Sequence, residues 1–438
     1  MESLSGLGRV GSVRACHSGW TVRSCATRTM TDSACHAREE VGYNPAFMKS
    51  GLINVVGTTL FLAVIAASAA GGQDQAGART SMATPDRWDG PGWWPTKGTA
   101  ATGEYVGPSG CTGCHSEIAG LQKKTPMFQA AQLARDSRVP QQGHDLRFSD
   151  DTYNYVVSRA ADVVTFSVKS KSGTDSISAN VAWAFGVSES SQTYVLKRGD
   201  TLLESRLSYY RSLAGLDITF GHRAEAPATI SQALGNPVEN ETMRRCFGCH
   251  ATASTVSGKF DPEHAILGVT CEACHGPGLQ HVTAMHTSAD QYAPDTMLNP
   301  KRLAPVDSVD FCGACHRTPV DVALYMPRHM GISSVRLQPY RLERSLCWGG
   351  RGDPRITCIA CHDPHKPLVR DSASYDAACL KCHAQSGHAP AANMAPACPT
   401  GTQDCASCHM PKYDIPWVHA TYTDHFIRVV RPGASFRE

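Results

Sequence analysis

The 438-residue sequence has little aromatic content, few charged residues and no excess of either charge. Aromatic residues make up 7% and charged residues 18%, and 41 Lys and Arg nearly balance 39 Asp and Glu, for a net charge of +2. This balance excludes the strongly basic surface that nucleic-acid binding needs. The 42% of hydrophobic residues excludes a disordered chain. The few aromatic side chains predict a thin side-chain core, with something else filling part of the interior.

Long apolar runs are also scarce, and the main one extends from Leu52 to Ala67. Lys49 precedes it and small residues follow it, the order of a secretory signal peptide. The run is shorter than the roughly 20 residues of a membrane-spanning helix. A cleaved signal peptide over residues 48–69 is therefore favoured over a retained anchor, and we predict an exported, periplasmic protein. Residues 1–47 are interpreted as a start codon assigned too early or, alternatively, as a leader.

Cysteine and histidine are abundant, with 19 of each. Fourteen of the cysteines form seven C-x-x-C-H motifs, at residues 111–115, 246–250, 271–275, 312–316, 358–362, 379–383 and 405–409. C-x-x-C-H is the attachment sequence of c-type haem. Its two thiols bond to one edge of the porphyrin, and its His binds the iron as the proximal ligand.

Other interpretations of paired cysteines explain less of the pattern. A zinc ribbon needs two C-x-x-C pairs for each ion and no His after each pair. A thioredoxin-like redox site carries a single C-x-x-C in a βαβ unit, and a disulfide framework places no His after every pair. We therefore predict seven covalently bound haem c groups.

The motifs define the haem-binding residues directly. The predicted attachment residues are Cys111, Cys114, Cys246, Cys249, Cys271, Cys274, Cys312, Cys315, Cys358, Cys361, Cys379, Cys382, Cys405 and Cys408. The predicted proximal iron ligands are His115, His250, His275, His316, His362, His383 and His409. From residue 110 onward only about 47 residues are available for each motif, too few for separate domains. The haems are therefore expected to pack against one another.

The predicted fold is mainly α, with extensive irregular loops around a packed multihaem array and one antiparallel β-rich insertion. The insertion follows from alternating apolar and polar residues and a Gly-Asp turn between the first two motifs. The predicted segments are an extended linker (70–105), a first haem segment (106–140), the β-rich insertion (141–222) and a six-haem cytochrome region (223–438). The insertion is interpreted as structural, and a partner-docking face is the alternative.

The second axial position of each iron takes His, Met or no protein ligand. The candidate distal ligands are Met127, His222, His281, His329, His365, His419 and His425, with His264 in reserve. His365 follows His362 by three residues, which span at most about 10–11 Å and cannot round a porphyrin. We therefore expect His365, and similarly His281, to bind the iron of a neighbouring haem. For Met127 the alternative is packing against a haem edge.

Two cysteines after the signal peptide, Cys347 and Cys398, lie outside the motifs. Because free thiols often pair in an oxidising compartment, we predict a disulfide between them.

Several stretches around the motifs carry a family resemblance. They are Y-V-G-P-S-G-C-T-G-C-H, G-V-T-C-E-A-C-H-G-P-G-L-Q-H, Q-P-Y-R-L-E-R-S-L-C, C-H-D-P-H, C-A-S-C-H-M-P-K and T-D-H-F-I-R. Over about residues 104–431 the chain resembles exported bacterial multihaem c-type cytochromes with cytochrome c-552/4 type haem domains. Relatives of these haem cores occur in multihaem nitrite and hydroxylamine enzymes. The resemblance implies distal histidines at positions such as His281, His365, His419 and His425.

The number of spare histidines bears on function. Ten His outside the motifs follow the signal peptide, enough for seven six-coordinate irons, and no C-x-x-C-K motif of the pentahaem nitrite reductases occurs. This favours an electron-transfer protein that moves single electrons between periplasmic or membrane-bound redox partner proteins. The alternative is a multihaem oxidoreductase acting on a small nitrogen or sulfur compound, such as nitrite or hydroxylamine. No residue stands out as catalytic.

Overall fold

The computed structural model of the protein describes residues 102–256, 259–287, 297–326, 330–348, 356–383, 398, 400–431 and 433–438. These all belong to one unit that extends from Ala69 to Glu438. The predicted signal peptide and most of the predicted linker lie outside the described residues. Among the helices that are described, none is both long and apolar enough to span a membrane.

The largest element is a nine-stranded antiparallel sheet. Its strands are β1 (Ala131–Leu133), β2 (Leu146–Ser149), β3 (Tyr153–Ala160), β4 (Val163–Ser170), β5 (Ser176–Val187), β6 (Ser191–Arg198), β7 (Thr201–Tyr210), β8 (Gly215–Ile218) and β9 (Gly235–Val238). Strands β2 to β8 follow one another in sequence order, while β1 pairs with β5 and β9 pairs with β7. The sheet curls until β2 and β8 have Cα atoms within 8 Å of each other.

The period-two pattern of the sequence explains the sheet. In β4 the side chains of Val164, Phe166 and Val168 are buried, and the residues between them are more exposed. One face of the sheet therefore builds an apolar core, to which Tyr155 and Leu207 also contribute. Short turns connect each of strands β2 to β8 to the next, which keeps most of the core local in sequence.

The opposite face packs against the helix that carries the second motif. Phe247, within that motif, is fully buried and makes edge contacts with Trp183 and Phe185 of β5, at ring-centroid distances of 5.4 and 5.0 Å. Met243 joins the same cluster. The sheet therefore holds the second haem motif in place by apolar packing.

The helices are short. They are α1 (Gly107–Thr112), α2 (Ser116–Gln122), α3 (Ile230–Leu234), α4 (Asn240–His250), α5 (Cys271–His275), α6 (Leu279–Thr287), α7 (Pro305–His316), α8 (Pro319–Tyr325), α9 (Gln338–Leu342), α10 (Asp376–His383) and α11 (Cys405–His409). Short strand pairs lie between them: β10 (Ala251–Ala253) with β13 (Ile266–Leu267), β11 (Thr255–Val256) with β12 (Lys259–Phe260), and β14 (Lys412–Ile415) with β15 (Ala420–Thr423). Single turns of 3-10 helix, such as Gly331–Arg336 and Cys358–Ala360, connect them.

The prediction of a mainly α fold is wrong. The described part of the chain is β-rich, and its sheet holds most of the large buried apolar side chains. The physical reason is the length of the helices: most motifs form one or two helical turns and stop at the motif His. Six further strands lie among the motifs, where the sequence shows no clear alternation.

Candidate multihaem site

The local fold of the motifs suits haem attachment. In motifs 2, 3, 4, 6 and 7 a helix ends at the motif His, so the two cysteines lie three positions apart on a helical turn. Residues i and i+3 share one face of a helix, which presents both thiols to the same edge of a porphyrin. None of the fourteen motif cysteines is fully buried. The donor set therefore fits a covalently attached haem.

Hydrogen bonds orient the proximal imidazoles. The Nδ1 atom of His250 lies 2.9 Å from the carbonyl oxygen of Ala130, and that of His275 lies 2.8 Å from Leu298 O. His409 Nδ1 is 3.1 Å from Arg428 O. An Nδ1–H that donates to a carbonyl leaves Nε2 unprotonated, the form in which imidazole binds a metal. Three of the predicted proximal ligands are therefore held in the tautomer that can bind a metal.

Two pairs of histidines stand at the distance that a shared metal requires. The rings of His275 and His365 are nearly parallel, at 8°, with centroids 6.0 Å apart. Those of His362 and His425 are 6.3 Å apart at 39°. A metal–imidazole bond is about 2.0–2.1 Å long, so two imidazoles on opposite sides of one iron place their centres roughly 6 Å apart. Each pair fits the two axial ligands of one haem.

The surroundings favour the neutral form of three of these imidazoles, those of His275, His362 and His425. Burial lowers the pKa of His425 to about 4, although its Nδ1 lies 3.0 Å from the carbonyl oxygen of Thr423. Burial also lowers the pKa of His275 and of His362, and the neighbouring His365 and His316 add to the respective shifts. A neutral imidazole is the ligating form, so the electrostatics agree with the geometry.

Contacts between cysteines of different motifs connect the motifs in pairs. The thiols of Cys111 and Cys271 hydrogen-bond to each other and join motifs 1 and 3. Those of Cys312 and Cys358 join motifs 4 and 5 in the same way. Cys379 of motif 6 likewise interacts with the first cysteine of motif 7.

Electrostatic interactions between cysteines link these pairs to one another, and one hydrogen bond links motif 2 to motif 4. Cys274 of motif 3 lies within electrostatic range of Cys312 of motif 4, and Cys361 of motif 5 within that of Cys379. Cys249 of motif 2 is 3.9 Å from the carbonyl oxygen inside motif 4. The motifs are therefore arranged in the order 1, 3, 4, 5, 6, 7, with motif 2 beside motif 4.

Comparison with known proteins gives the following matches. A family model described as cytochrome c554 and c-prime matches residues 220–276, which include motifs 2 and 3. The chain is a multihaem c-type cytochrome. It is 23% identical over 196 residues to a protein named multiheme cytochrome MtrA from Shewanella baltica (strain OS185), across 41% of this chain. The match spans 56% of that relative's length. A solved structure titled outer cell wall cytochrome OcwA superposes with a TM-score of 0.45 and 17% identity, covering 75% of this chain and 80% of that one.

Two carboxylates, that of the buried Glu272 and that of the half-buried Asp376, connect motifs of this cytochrome. Glu272 is fully buried inside motif 3, and its carboxylate accepts hydrogen bonds from the backbone N–H groups of Val106, Gly107 and Gly278 at 2.8–2.9 Å. It thereby ties the segment before motif 1 to motif 3. Asp376 accepts from the backbone N–H of Asp404 and of the next residue, at 2.6 and 2.8 Å, and ties motif 6 to motif 7.

A buried ion pair positions His425. The neighbouring Asp424 is fully buried and accepts two hydrogen bonds from the guanidinium of Arg341, both 2.8 Å long. Arg428 donates a third at 2.7 Å. Burial raises the pKa of Asp424, but its hydrogen bonds to Arg341, Phe426 N and Arg428 outweigh burial, and the net pKa is lowered. The carboxylate is therefore ionised and fixes the backbone from which His425 projects.

Two other predicted distal ligands have protein partners in the structure. His222 Nε2 is 3.1 Å from a carboxylate oxygen of Glu204, and its Nδ1 is 3.4 Å from the amide nitrogen of Asn236. His419 Nε2 lies 2.7 Å from Asp217 Oδ2. The structure therefore brings these two beside carboxylates and the sheet rather than beside a proximal His, and their ligand roles stay predictions.

The other candidate distal ligands lie on short helices or turns or outside the described residues. His281 is half-buried in α6, directly after motif 3. The half-buried Met127 anchors its turn by accepting backbone hydrogen bonds from Ala130 and Val269 at its carbonyl oxygen. The reserve residue His264 is exposed and pairs with Asp261 at 2.9 Å. His329 lies outside the described residues.

The predicted disulfide between Cys347 and Cys398 is wrong, since both are free thiols. Cys347 lies near the two cysteines of motif 6, and Cys398 Sγ lies 3.0 Å from the hydroxyl of Thr400. Compartment chemistry allows two thiols to pair but does not bring them within bonding distance.

Sequence reasoning also missed the carboxylates that join the motifs. Glu272 occupies a variable position of C-E-A-C-H, and Asp376 stands three residues before Cys379. An acidic residue within or just before a haem motif is the only signal of their role, and it is weak because exposed positions carry acids just as often.

Proposed function

We propose that this cytochrome carries seven covalent haem c groups and transfers single electrons along them. The observation that supports this proposal is that hydrogen bonds between cysteines join motifs 1 and 3, 4 and 5, and 6 and 7, while electrostatic interactions link motif 3 to 4 and motif 5 to 6, and motif 2 lies beside motif 4. A bound haem iron supplies a one-electron redox centre. Because electron tunnelling falls steeply with distance, a chain that places successive attachment cysteines in contact or within electrostatic range of one another is suited to pass electrons from one end to the other.

The ends of the series are its most accessible parts. Among the motif cysteines, the exposed ones are Cys114 in motif 1, Cys382 in motif 6 and Cys408 in motif 7, whereas those of motifs 2 to 5 are all half-buried. Redox partner proteins, periplasmic or membrane-bound, would dock at motif 1 and at motifs 6 and 7. An exported, periplasmic location with a signal peptide over residues 48–69 completes this proposal.

The histidine pairs supply the proposed axial ligands. His365 would bind the iron of the third haem opposite His275, and His425 that of the fifth haem opposite His362. An iron with two protein ligands has no open position for a small substrate, which suits a carrier. Met127, His222, His281, His329 and His419 remain the candidates for the other irons.

A multihaem oxidoreductase acting on a small nitrogen or sulfur compound is the second candidate. The observation in its favour is that His222 and His419 bind carboxylates, so two of the predicted distal ligands are engaged elsewhere. An iron left open by this arrangement would have acid–base groups close to it.

Ligand binding separates the two functions. Carbon monoxide is added to the fully reduced holoprotein, and cyanide or nitrite to the oxidised one, while the haem absorption spectrum is recorded. We expect no spectral change, because every iron is blocked by two protein ligands. Stoichiometric binding at one haem, together with turnover of nitrite or hydroxylamine, would contradict the carrier and establish the enzyme.

A further inference from the structure

Glu272 places a buried negative charge at the motif 1 end of the series. Among the variable positions of the seven motifs it is the only acidic residue. Its side chain is fully buried, and its carboxylate oxygens accept hydrogen bonds from the N–H groups of Val106, Gly107 and Gly278 at 2.8–2.9 Å. Three donors suit an ionised carboxylate. Because backbone N–H groups carry no net charge, these bonds stabilise the negative charge without cancelling it.

The same carboxylate lies close to motif 1. Gly107, whose N–H donates to Glu272, has its carbonyl oxygen 3.9 Å from the thiol of Cys111, an attachment cysteine of motif 1. The backbone also closes tightly around the carboxylate on the other side. A Cβ atom at Gly278 would lie 3.1 Å from a carboxylate oxygen of Glu272 and 2.9 Å from a methyl group of Val106. Glu272 therefore lies between the attachment residues of motifs 1 and 3.

The other end of the series carries buried positive charge. The guanidinium groups of Arg341 and Arg428 both pair with the carboxylate of Asp424, at 2.8 and 2.7 Å. Arg341 and Asp424 are fully buried, and Arg428 is largely so. Two guanidinium groups on one carboxylate leave these three side chains with a net positive charge.

These three side chains lie beside motifs 5 and 7. Asp424 directly precedes His425, whose ring centre is 6.3 Å from that of His362 in motif 5. The carbonyl oxygen of Arg428 lies 3.1 Å from Nδ1 of His409, the predicted proximal ligand of motif 7. Fixed charges of opposite sign therefore lie at the two ends of the series.

We propose that these buried charges set the direction of electron transfer, with entry at motif 1 and exit at motifs 6 and 7. Reduction adds one negative charge to a haem, so a nearby anion lowers its potential and a nearby cation raises it, most strongly where water is excluded. Glu272 thus lowers the potentials at motifs 1 and 3, and Arg341 and Arg428 raise those at motifs 5 and 7.

The direction follows from this difference, and it rests on the electron-transfer function proposed above. Electrons move toward higher potential. One electron that a reduced donor protein loses at motif 1 is gained by an oxidised acceptor protein at motifs 6 and 7, and the cytochrome returns to its starting state. The charges themselves are not consumed, so they bias every transfer in the same way.

The test compares Glu272→Gln and Arg428→Gln in the full-length holoprotein. The matched controls are Glu189→Gln and Arg138→Gln, which make the same charge changes at two exposed side chains that pair at 3.4 Å, where solvent and salt screen them. Intact mass first verifies seven haems in each protein, so that a failure of the proposed haem content is recognised separately. The seven potentials are then measured by redox titration followed at the haem absorption bands.

Glu272→Gln should raise at least one potential, and Arg428→Gln should lower at least one. Each shift should reach about a tenfold change in the equilibrium constant of reduction, which is about 59 mV for one electron. In the wild-type protein the potential that rises must lie below the potential that falls. Glu272→Asp, which keeps the charge, should leave the potentials close to those of the wild type, whereas a merely structural role would shift them too.

Two results would overturn the proposal. One is that either variant matches its control in all seven potentials, and the other is that the two shifted potentials stand in the reverse order. Should Glu272→Gln attach fewer than seven haems, Arg428→Gln decides alone. The proposal then fails if that variant lowers no potential relative to Arg138→Gln.

Discussion

The sheet, residues 131–238, and the haem-motif region, residues 240–431, differ in how their interiors are filled. In the sheet, apolar side chains such as Phe166, Leu196 and Leu207 are fully buried and touch one another across the strands. In the motif region beyond α4, the buried apolar cluster that the structure describes consists of Val309, Leu342 and Trp348. Among the described residues, the sheet therefore has the larger apolar core, and the motif region has a smaller one.

In the motif region, hydrogen bonds and ion pairs of three carboxylates connect segments that are distant in sequence. Glu272, Asp376 and Asp424 each join two segments through hydrogen bonds or ion pairs. Its helices are five to twelve residues long, shorter than the roughly 12–15 residues that an isolated helix needs to be even marginally stable in water. Since its helices are short and its described apolar core is small, we expect bound haems to contribute much of this region's stability.

The largest expected difference between the two regions appears when the protein is produced without attached haem. When the chain is produced without the machinery that attaches haem c, we expect residues 271–431 to be digested rapidly by a protease, while a fragment that contains the sheet resists. The attached product should show the mass of seven haems and resist over both regions. Limited proteolysis with mass spectrometry measures both outcomes. Equal resistance of the two regions without haem would mean that the motif region folds on side chains alone.

The sheet illustrates how far sequence patterns reach. The alternation in residues 163–169 predicted strands, and β4 occupies Val163–Ser170. The alternation was visible because one face of each strand is buried by its own neighbours in sequence. The prediction of a mainly α fold was wrong in part because the strands among the motifs could not be recognised. Strands such as β11 and β12 have two residues each, too few to show an alternation of apolar and polar residues.

The candidate site shows the same limit. The attachment and proximal residues follow from the motif itself, and the reach of three residues led us to predict that His365 serves a neighbouring haem. The structure brings it beside His275 of motif 3, eighty-seven residues before His362. No sequence spacing can supply such a long-range partner, nor the roles of Glu272 and Asp424, because these depend on how distant segments pack.

Two single substitutions, one in the sheet core and one at a predicted iron ligand, test the difference between the two regions. We expect Phe166→Ala to cost about 3–5 kcal/mol of unfolding free energy, since it leaves a cavity in the sheet core, and to leave every haem spectrum unchanged. His365→Ala should instead convert one haem from low to high spin, because its iron loses one axial ligand, with little effect on the sheet. Chemical unfolding followed by circular dichroism reports the first effect, and electron paramagnetic resonance the second.

The exposed His264→Ala is the matched control for the ligand substitution, since its ring pairs with Asp261 on the surface. An unchanged resonance spectrum of His365→Ala, equal to that of His264→Ala, would remove His365 from the axial ligands. A change of haem spin state in Phe166→Ala would show that the sheet core and the motif region are not separable.

The smallest expected effect concerns pH, and its sign differs between the regions. In the motif region, burial raises the pKa of Glu343 from 4.5 to about 7, Asp310 adds to the rise, and Trp348 opposes it. In the sheet, burial raises the pKa of Asp150, but hydrogen bonds from the Tyr155 hydroxyl and from the N–H groups of Tyr153 and Thr152 outweigh it and lower the pKa below 3.8.

Linkage fixes the direction of each contribution. Between pH 4.5 and about 7 the unfolded chain ionises Glu343 more readily than the folded chain, so its contribution to the stability of the motif region falls as the pH rises. The contribution of Asp150 is present above its unfolded pKa of 3.8 and is lost as the pH falls through the lower folded pKa.

Glu343→Gln should therefore flatten the pH dependence of the stability of the motif region between pH 4.5 and 7, measured by unfolding followed at the haem absorption band. Asp150→Asn should leave that profile unchanged and weaken the sheet at neutral pH, as measured by circular dichroism. Parallel wild-type and Glu343→Gln profiles over this range would show that Glu343 titrates normally and that the motif region does not bury its charge.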